Sequence, residues 1–144
     1  MKNSIAKKMT PGARFQDFLV EKTENSVPFS EICVRKGDIY LVDFKTNIGS
    51  EQNGIRPAIV IQNDIGNCFS PTIIVCPISS RKKIFDRTHV VLSPGEGGIR
   101  AASVVLCEQI RAIDKSRLVR KIGRLYMMGK MQEINQKISV VLGL

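Results

Sequence analysis

From Lys36 onward the apolar residues of this chain come in short, dense blocks separated by turn residues. Ile39-Tyr40-Leu41-Val42-Asp43-Phe44, then Ala58-Ile59-Val60-Ile61 behind Pro57, then Thr72-Ile73-Ile74-Val75-Cys76 behind Ser70-Pro71 each read as a short buried strand, the third running on to Ile78. Thr88-His89-Val90-Val91-Leu92 and Ser103-Val104-Val105-Leu106-Cys107 add two more, parted by the turn Gly95-Glu96-Gly97-Gly98. Short strands at this spacing, with no helix between them, predict a small antiparallel barrel rather than a parallel sheet. Near the C-terminus the period changes. Leu125, Met128, Met131, Ile134, Ile138 and Val141 recur every three or four residues, which predicts a helix whose apolar face, methionines included, covers an open edge or mouth of the barrel. A shorter helix over 115–121, N-capped by Asp114, is expected just before it. The expected class is mainly β with helices (α+β).

Residues 1–34 differ from the rest: they are mostly polar, mixed in charge, and end at Pro28-Phe29-Ser30 before the first strand signal. They read as an N-terminal extension to a domain spanning 35–144. Thr10-Pro11 resembles an N-cap followed by proline at the first helical position, and Phe15, Phe18, Leu19 and Lys22 keep helical spacing, so the segment reads either as one short amphipathic helix or as a frayed tail.

The chain has 144 residues, 43% of them hydrophobic and 24% charged, which fits one folded domain plus an appendage. Its longest apolar runs, Ala58–Ile61 and Val104–Cys107, fall far short of the roughly 20 residues a membrane span needs. No apolar segment follows the basic start before Asp17, so a cytoplasmic protein without a secretory signal is expected. Cys33, Cys68, Cys76 and Cys107 form no C-x-x-C pair and have only His89 as an imidazole companion, which argues against a zinc site or a disulfide scaffold. Cys76 and Cys107 sit in apolar runs and read as small buried hydrophobes.

Charge adds the first functional hint. A net charge of +9 implies a polyanionic or acidic partner, with nucleic acid first and an acidic protein second. Basic residues cluster at Arg81, Lys82, Lys83 and Arg87 and again at Lys115, Arg117, Arg120, Lys121 and Arg124, two candidate phosphate-contacting segments flanking one small barrel. The polar segment Thr46 to Pro57 is too long for a plain hairpin turn. With Glu51, Arg56 and several amides it is suited to a phosphodiester, or else to a Glu51–Arg56 ion pair that merely pins the loop.

Several blocks carry a resemblance in order and spacing: Lys36-Gly37-Asp38-Ile39-Tyr40, Gly49-Ser50-Glu51-Gln52-x-Gly54-x-Arg56-Pro57, Gln62-Asn63-Asp64, Ser70-Pro71-Thr72 and Glu108-Gln109-Ile110-Arg111-Ala112-Ile113-Asp114. Together they resemble the MazF/PemK toxin family over residues 36–144. The resemblance implies a small SH3-like antiparallel β-barrel with a C-terminal helix, acting as a homodimer. It also implies a metal-independent endoribonuclease toxin that needs no cofactor, cuts single-stranded RNA (mRNA), and is silenced by an acidic, MazE-like antitoxin.

The inventory of residues suits such chemistry. RNA supplies its own nucleophile, the 2′-oxygen, so the protein has only to move protons, stabilise phosphorane charge and hold the strand in line. A two-histidine mechanism is excluded by count, because His89 stands alone and a strand-like run favours a structural role for it. Arginine offers a planar, permanently charged fork for two phosphate oxygens. By resemblance, Arg56 is the catalytic arginine and Ser79 takes the place of the catalytic threonine, keeping the hydroxyl but losing the methyl that fixes a rotamer. Ser80 is a possible substitute. Glu51 either receives the 2′-hydroxyl proton or orients Arg56. The implied RNA groove comprises Ser50, Gln52, Asn63, Glu108, Gln109 and Arg111. Ala102, where many relatives carry aspartate, bears on base preference. Two other readings stand beside this one. A gyrase-poisoning toxin of the same fold, like CcdB, relies on a C-terminal tryptophan, and this chain has none. The other is a non-catalytic RNA-binding module.

Overall fold

The computed structural model describes residues 33–81 and 87–144. The segment around Thr10-Pro11, read as a short helix or a frayed tail, and Lys82 and Lys83 of the first basic cluster, lie outside them. The strands are β1 (Asp38–Asp43), β2 (Ile55–Val60), β3 (Thr72–Ser79), β4 (His89–Leu92), β5 (Ser103–Leu106), β6 (Arg111–Asp114) and β7 (Leu118–Arg124), with helices α1 (Asp64–Phe69) and α2 (Met128–Leu142). Every pairing is antiparallel, in the order β4-β5-β3-β2-β1-β7, with β6 added to β3. Among the described residues this ladder stays open rather than closing into a complete barrel.

β3 is the strand that organises the rest. Its first half pairs with β6, its middle with β2, and Ile78 and Ser79 at its end pair with β5, so the strand passes from one part of the sheet to the other where Ser79 lies. Both faces of β1 and β2 are covered, which explains why the sequence shows apolar blocks instead of clean alternation. On one face Ile39, Ile59, Cys76 and Ile78 pack with Val90, Leu92, Val105 and Ile134. On the other, Tyr40, Val42, Ala58, Val60 and Val75 pack with Val34, Phe44, Ile113 and Leu118. Each such fully buried aliphatic or aromatic side chain contributes about 1.5–3 kcal/mol of transfer free energy.

α2 covers the first of these faces through Met131, Ile134, Ile138 and Val141 and ends at Gly143, whose φ of +70° suits a left-handed cap. Met128, read as part of its apolar face, is 76% exposed, and Leu125 is buried ahead of the helix rather than within it.

The expected helix over 115–121 is corrected. Asp114 does cap, its side chain accepting from the Ser116 N–H at 2.8 Å, but the helix is a single 3₁₀ turn, Lys115–Arg117. From Leu118 the chain is β7, an edge strand whose one buried residue is Leu118. Its lysines and arginines suit the outer edge of a sheet and hide the period-2 signal. α1 was not foreseen. It is a short helix whose only buried residue is Asn67.

A buried carboxylate fastens this edge. Asp38, fully buried, accepts from the Arg35 N–H at 2.9 Å and pairs with Lys121 at 3.3 Å and Arg124 at 3.6 Å. Such a charge is tolerated in the interior only with partners of this kind. The turn at Gly97-Gly98 lies directly on β7, since a Cβ at Gly98 would come within 2.8 Å of the Ile122 carbonyl oxygen. A Cβ at Gly123 would collide with the Gly97 carbonyl.

Candidate active site

The long β1–β2 loop is held from two sides. The Asn47 side-chain amide donates to the Phe44 carbonyl at 3.1 Å and the Gln52 carbonyl at 2.6 Å. Gln109, at the end of the 3₁₀ turn Cys107–Gln109, accepts from the Gln52 N–H at 3.1 Å and donates to the Ser50 carbonyl at 3.3 Å. Glu51 accepts from the Ile48 N–H at 2.9 Å. The result is a cavity of about 560 Å³ lined by Ser50, Glu51, Gln52, Glu108, Gln109 and Arg111, with Asn47 and Pro77. Glu108 lies 2.8 Å from Nε2 of His89, which is buried in β4. The Arg111 guanidinium sits 5.5 Å from the ring centroid of the buried Phe44, a cation–π contact.

Arg56 lines a different cavity. Opposite Val42 in the β1–β2 ladder, it donates from Nε to the Asn53 carbonyl at 3.2 Å and opens onto a space of about 230 Å³ shared with Ser80, Arg100, Ser103 and Arg120. Pro57, Ile78, Ile99 and Ile122 also line that space. Pro77 lines one cavity and Ile78 the other, so the two lie on opposite faces of the end of β3. The β2–β3 ladder ends at Ala58 and Pro77, and beyond it Ile78 and Ser79 pair with Val105 and Val104 of β5. Ser79 is 8% exposed, and its Oγ accepts from the Arg81 N–H at 3.2 Å, which leaves the hydroxyl proton available for donation.

Six of the residues singled out from sequence therefore share one cavity, and Arg56 with Ser80 share another. No bond joins Glu51 to Arg56, so neither a loop-pinning ion pair nor a carboxylate orienting the guanidinium is present. Asn63 stands apart from both cavities, serving as N-cap of α1 by accepting from the Gly66 N–H at 2.8 Å.

The second basic cluster divides in the same way. Lys121 and Arg124 serve Asp38, Lys115 donates to the Asn67 carbonyl, and Arg117 donates to the Phe44 carbonyl at 3.3 Å. Burial holds the Lys115 ammonium below the ordinary lysine range. Only Arg120 is left facing a cavity, and there it is joined by Arg100. Sequence reasoning missed Arg100, whose one local signal is the Gly97-Gly98 turn just before it. It also missed Asn47, whose role depends on where the chain returns. Among the described residues, no three His, Cys, Asp or Glu side chains converge as metal ligands, and no helix is long and apolar enough to cross a membrane.

An open antiparallel SH3-like sheet, with an amide-and-carboxylate cavity on one face of the end of β3 and an arginine-and-hydroxyl cavity on the other, defines a small β protein built to handle a polyanion. Residues 35–142 match the model of the PemK-like, MazF-like toxins of type II toxin-antitoxin systems, and the chain belongs to that family. It is 46% identical over 112 residues to Endoribonuclease MazF of Staphylococcus saprophyticus, covering 77% of this chain and 92% of that one. To Endoribonuclease EndoA of Bacillus subtilis it is 49% identical over 114 residues, covering 77% and 97%. Among solved structures, MazF from Deinococcus radiodurans superposes with a TM-score of 0.68 at 26% identity, over 78% of this chain and 98% of that one. A MazE-MazF structure from the same organism gives 0.63 at 27%, over 78% and 97%.

Proposed function

We propose that this toxin is an endoribonuclease that cuts single-stranded RNA, mRNA included, by directing a ribose 2′-oxygen onto its own phosphodiester. The 5′-oxygen leaves with a proton, and the products carry a 2′,3′-cyclic phosphate and a 5′-hydroxyl. The observation that supports this reading is the cavity at the end of β3 where Arg56, Arg100 and Arg120 meet the hydroxyl residues Ser80 and Ser103, beside the strand end that carries Ser79. A phosphate there meets a guanidinium and a hydroxyl donor where charge builds up in the phosphorane. The names of the relatives at 46% and 49% identity support the same activity.

In this reading the ribose faces the larger cavity, where Glu51 receives the 2′-hydroxyl proton, and Glu108, Gln109 and Arg111 hold neighbouring bases and phosphate. The reaction uses no metal, since the nucleophile is already part of the substrate. The protein works as a homodimer, with exposed Tyr126, Met127 and Met128 offering apolar surface to a second copy. An acidic, MazE-like antitoxin neutralises the charge of +9, a pairing supported by the MazE-MazF structure of the Deinococcus relative.

The test is digestion of a long synthetic transcript in EDTA with end-group analysis. Cutting to cyclic phosphate and 5′-hydroxyl ends is expected. RNA retained without products would leave only a binding module, and gyrase arrest without RNA products would mean a protein-binding toxin of the same fold.

A further inference from the structure

Cys33 and Cys68 are 35 residues apart in sequence, yet their Sγ atoms lie 3.2 Å from each other. Cys33 immediately precedes the segment leading into β1, and Cys68 is the penultimate residue of α1. A second contact fastens the same two segments, because the Lys36 N–H donates to the Asp64 side chain, at the start of α1, at 2.7 Å. Both thiols are half-buried. They differ in this from Cys76 and Cys107, which are fully buried in the core beside the α2 face.

We propose that Cys33 and Cys68 form an oxidisable dithiol, a site of reversible disulfide formation by exchange with a low-molecular-weight disulfide. The sulfurs have a little over an ångström to close to reach a bond of about 2.05 Å. Burial and the adjacent Cys68 thiol push Cys33 up to about 11, so Cys33 stays protonated while Cys68 exchanges first. The Cys68 thiolate attacks one sulfur of the small disulfide, forming a mixed disulfide and releasing one small thiolate, which takes up a proton. Cys33 then gives up its proton and attacks the Cys68 sulfur, expelling the second small thiol. The two protein thiols lose two electrons in all, and the small disulfide gains them as two thiols. Lys115, whose ammonium contacts the Asn67 carbonyl next to Cys68, supplies positive charge that favours the thiolate intermediates.

The resulting bond closes a loop that contains β1, the Glu51 loop, β2 and Arg56. It joins segments that are already in register, so it stabilises the fold by restricting the unfolded chain.

The experiment takes the full chain, incubates it with oxidised glutathione or with dithiothreitol, alkylates free thiols and maps the peptides by mass. The expected result is a product lighter by two hydrogens with Cys33 and Cys68 linked, Cys76 and Cys107 alkylated only after denaturation, and a melting temperature higher by roughly 10 °C. Dithiothreitol should reverse both changes. Cys68→Ser should abolish the linked peptide and the thermal shift, and Cys76→Ser should leave the linked peptide in place. The proposal is overturned by two stable glutathione adducts on Cys33 and Cys68, by an intermolecular link, or by a disulfide at Cys76 and Cys107 instead. None of these readouts depends on RNA cleavage.

Discussion

Gln109 holds Gln52 across a separation of 57 residues, its Oε1 accepting the Gln52 N–H at 3.1 Å while its Nε2 reaches the Ser50 carbonyl at 3.3 Å. One side-chain amide thus pairs a donor and an acceptor on the backbone of the loop that carries Glu51. It is a positioning contact: the glutamine that lines the larger cavity also shapes the loop on the opposite wall.

Gln109→Ala removes both bonds and is expected to raise KM for an RNA oligonucleotide about tenfold, the equivalent of two net contributions of about 0.5–1.5 kcal/mol each, less what the loop recovers from water. Gln109→Glu keeps the acceptor for Gln52 and loses the donor to Ser50, so its KM should fall between the two. Steady-state kinetics and proteolytic nicking within 47–54 check this together. An unchanged KM with an unnicked loop would mean that Asn47 alone suffices.

Arg56→Ala should lower cleavage by about 10²–10³-fold, the usual cost of removing one preorganised charge-stabilising donor. Its melting temperature should stay near that of the unaltered protein, because the guanidinium makes one hydrogen bond, to the Asn53 carbonyl. Ser79→Ala is expected to cost about 1.5–3 kcal/mol, roughly 10–100-fold in rate. Ser80→Ala should stay within about threefold, since Ser79 alone has its oxygen fixed by the Arg81 N–H. Single-turnover rates on one transcript decide, and the reverse order would move the catalytic hydroxyl to Ser80.

Much of the fold could be read from the chain because burial on both faces of β1, β2 and β3 leaves continuous apolar runs, as at Ala58-Ile59-Val60. β7 could not, because Arg120, Lys121 and Arg124 alternate with too little burial to mark a period, and the partner of two of them, Asp38, is distant in sequence. The cavity lining was legible where a residue is held within its own loop, as Glu51 is by the Ile48 N–H. It was not legible where function depends on return contacts: Arg100 reaches the Arg56 cavity only because Gly97-Gly98 lies flat on β7, and nothing in the spacing of Cys33 and Cys68 brings their sulfurs together.

The side chains of Arg100 and Arg120 have no hydrogen-bond or ion-pair partner among the described residues and line the same cavity as Arg56. A phosphate flanking the cut site is expected to lie between them. For single-stranded RNA each lost phosphate contact should flatten the slope of log K against log salt by about 0.7, so Arg100→Ala and Arg120→Ala should each do so with kcat nearly unchanged. Arg124→Ala, which removes a partner of buried Asp38, should instead lower the melting temperature and leave the slope alone. Titration of a fully 2′-O-methylated oligonucleotide at several salt concentrations separates the two outcomes.

Gly123→Ala should destabilise the protein by about 1–3 kcal/mol or more, because the added methyl must displace the Gly97 carbonyl and lift the turn that precedes Arg100. If the fold survives, the salt slope should drop as it does for Arg100→Ala. Chemical denaturation together with the same titration tests both halves.

Tyr40 gives the fold an alkaline limit. Burial, and then the charge of Asp38, raises its phenol from 10.0 to about 12. Below pH 10 the hydroxyl is protonated in both folded and unfolded chains, and it contributes no pH dependence. Between about pH 10 and 12 the unfolded chain releases this proton while the folded chain keeps it, so the native state binds more protons and stability falls as pH rises. Tyr40→Phe removes the titrating group and keeps the ring in the core with Val42 and Val60. The expected result is that urea midpoints of the two proteins change in parallel up to pH 10, and that the unaltered protein then declines more steeply. Parallel curves up to pH 12 would mean that the phenol ionises equally well in the folded protein, with the ring turned toward water.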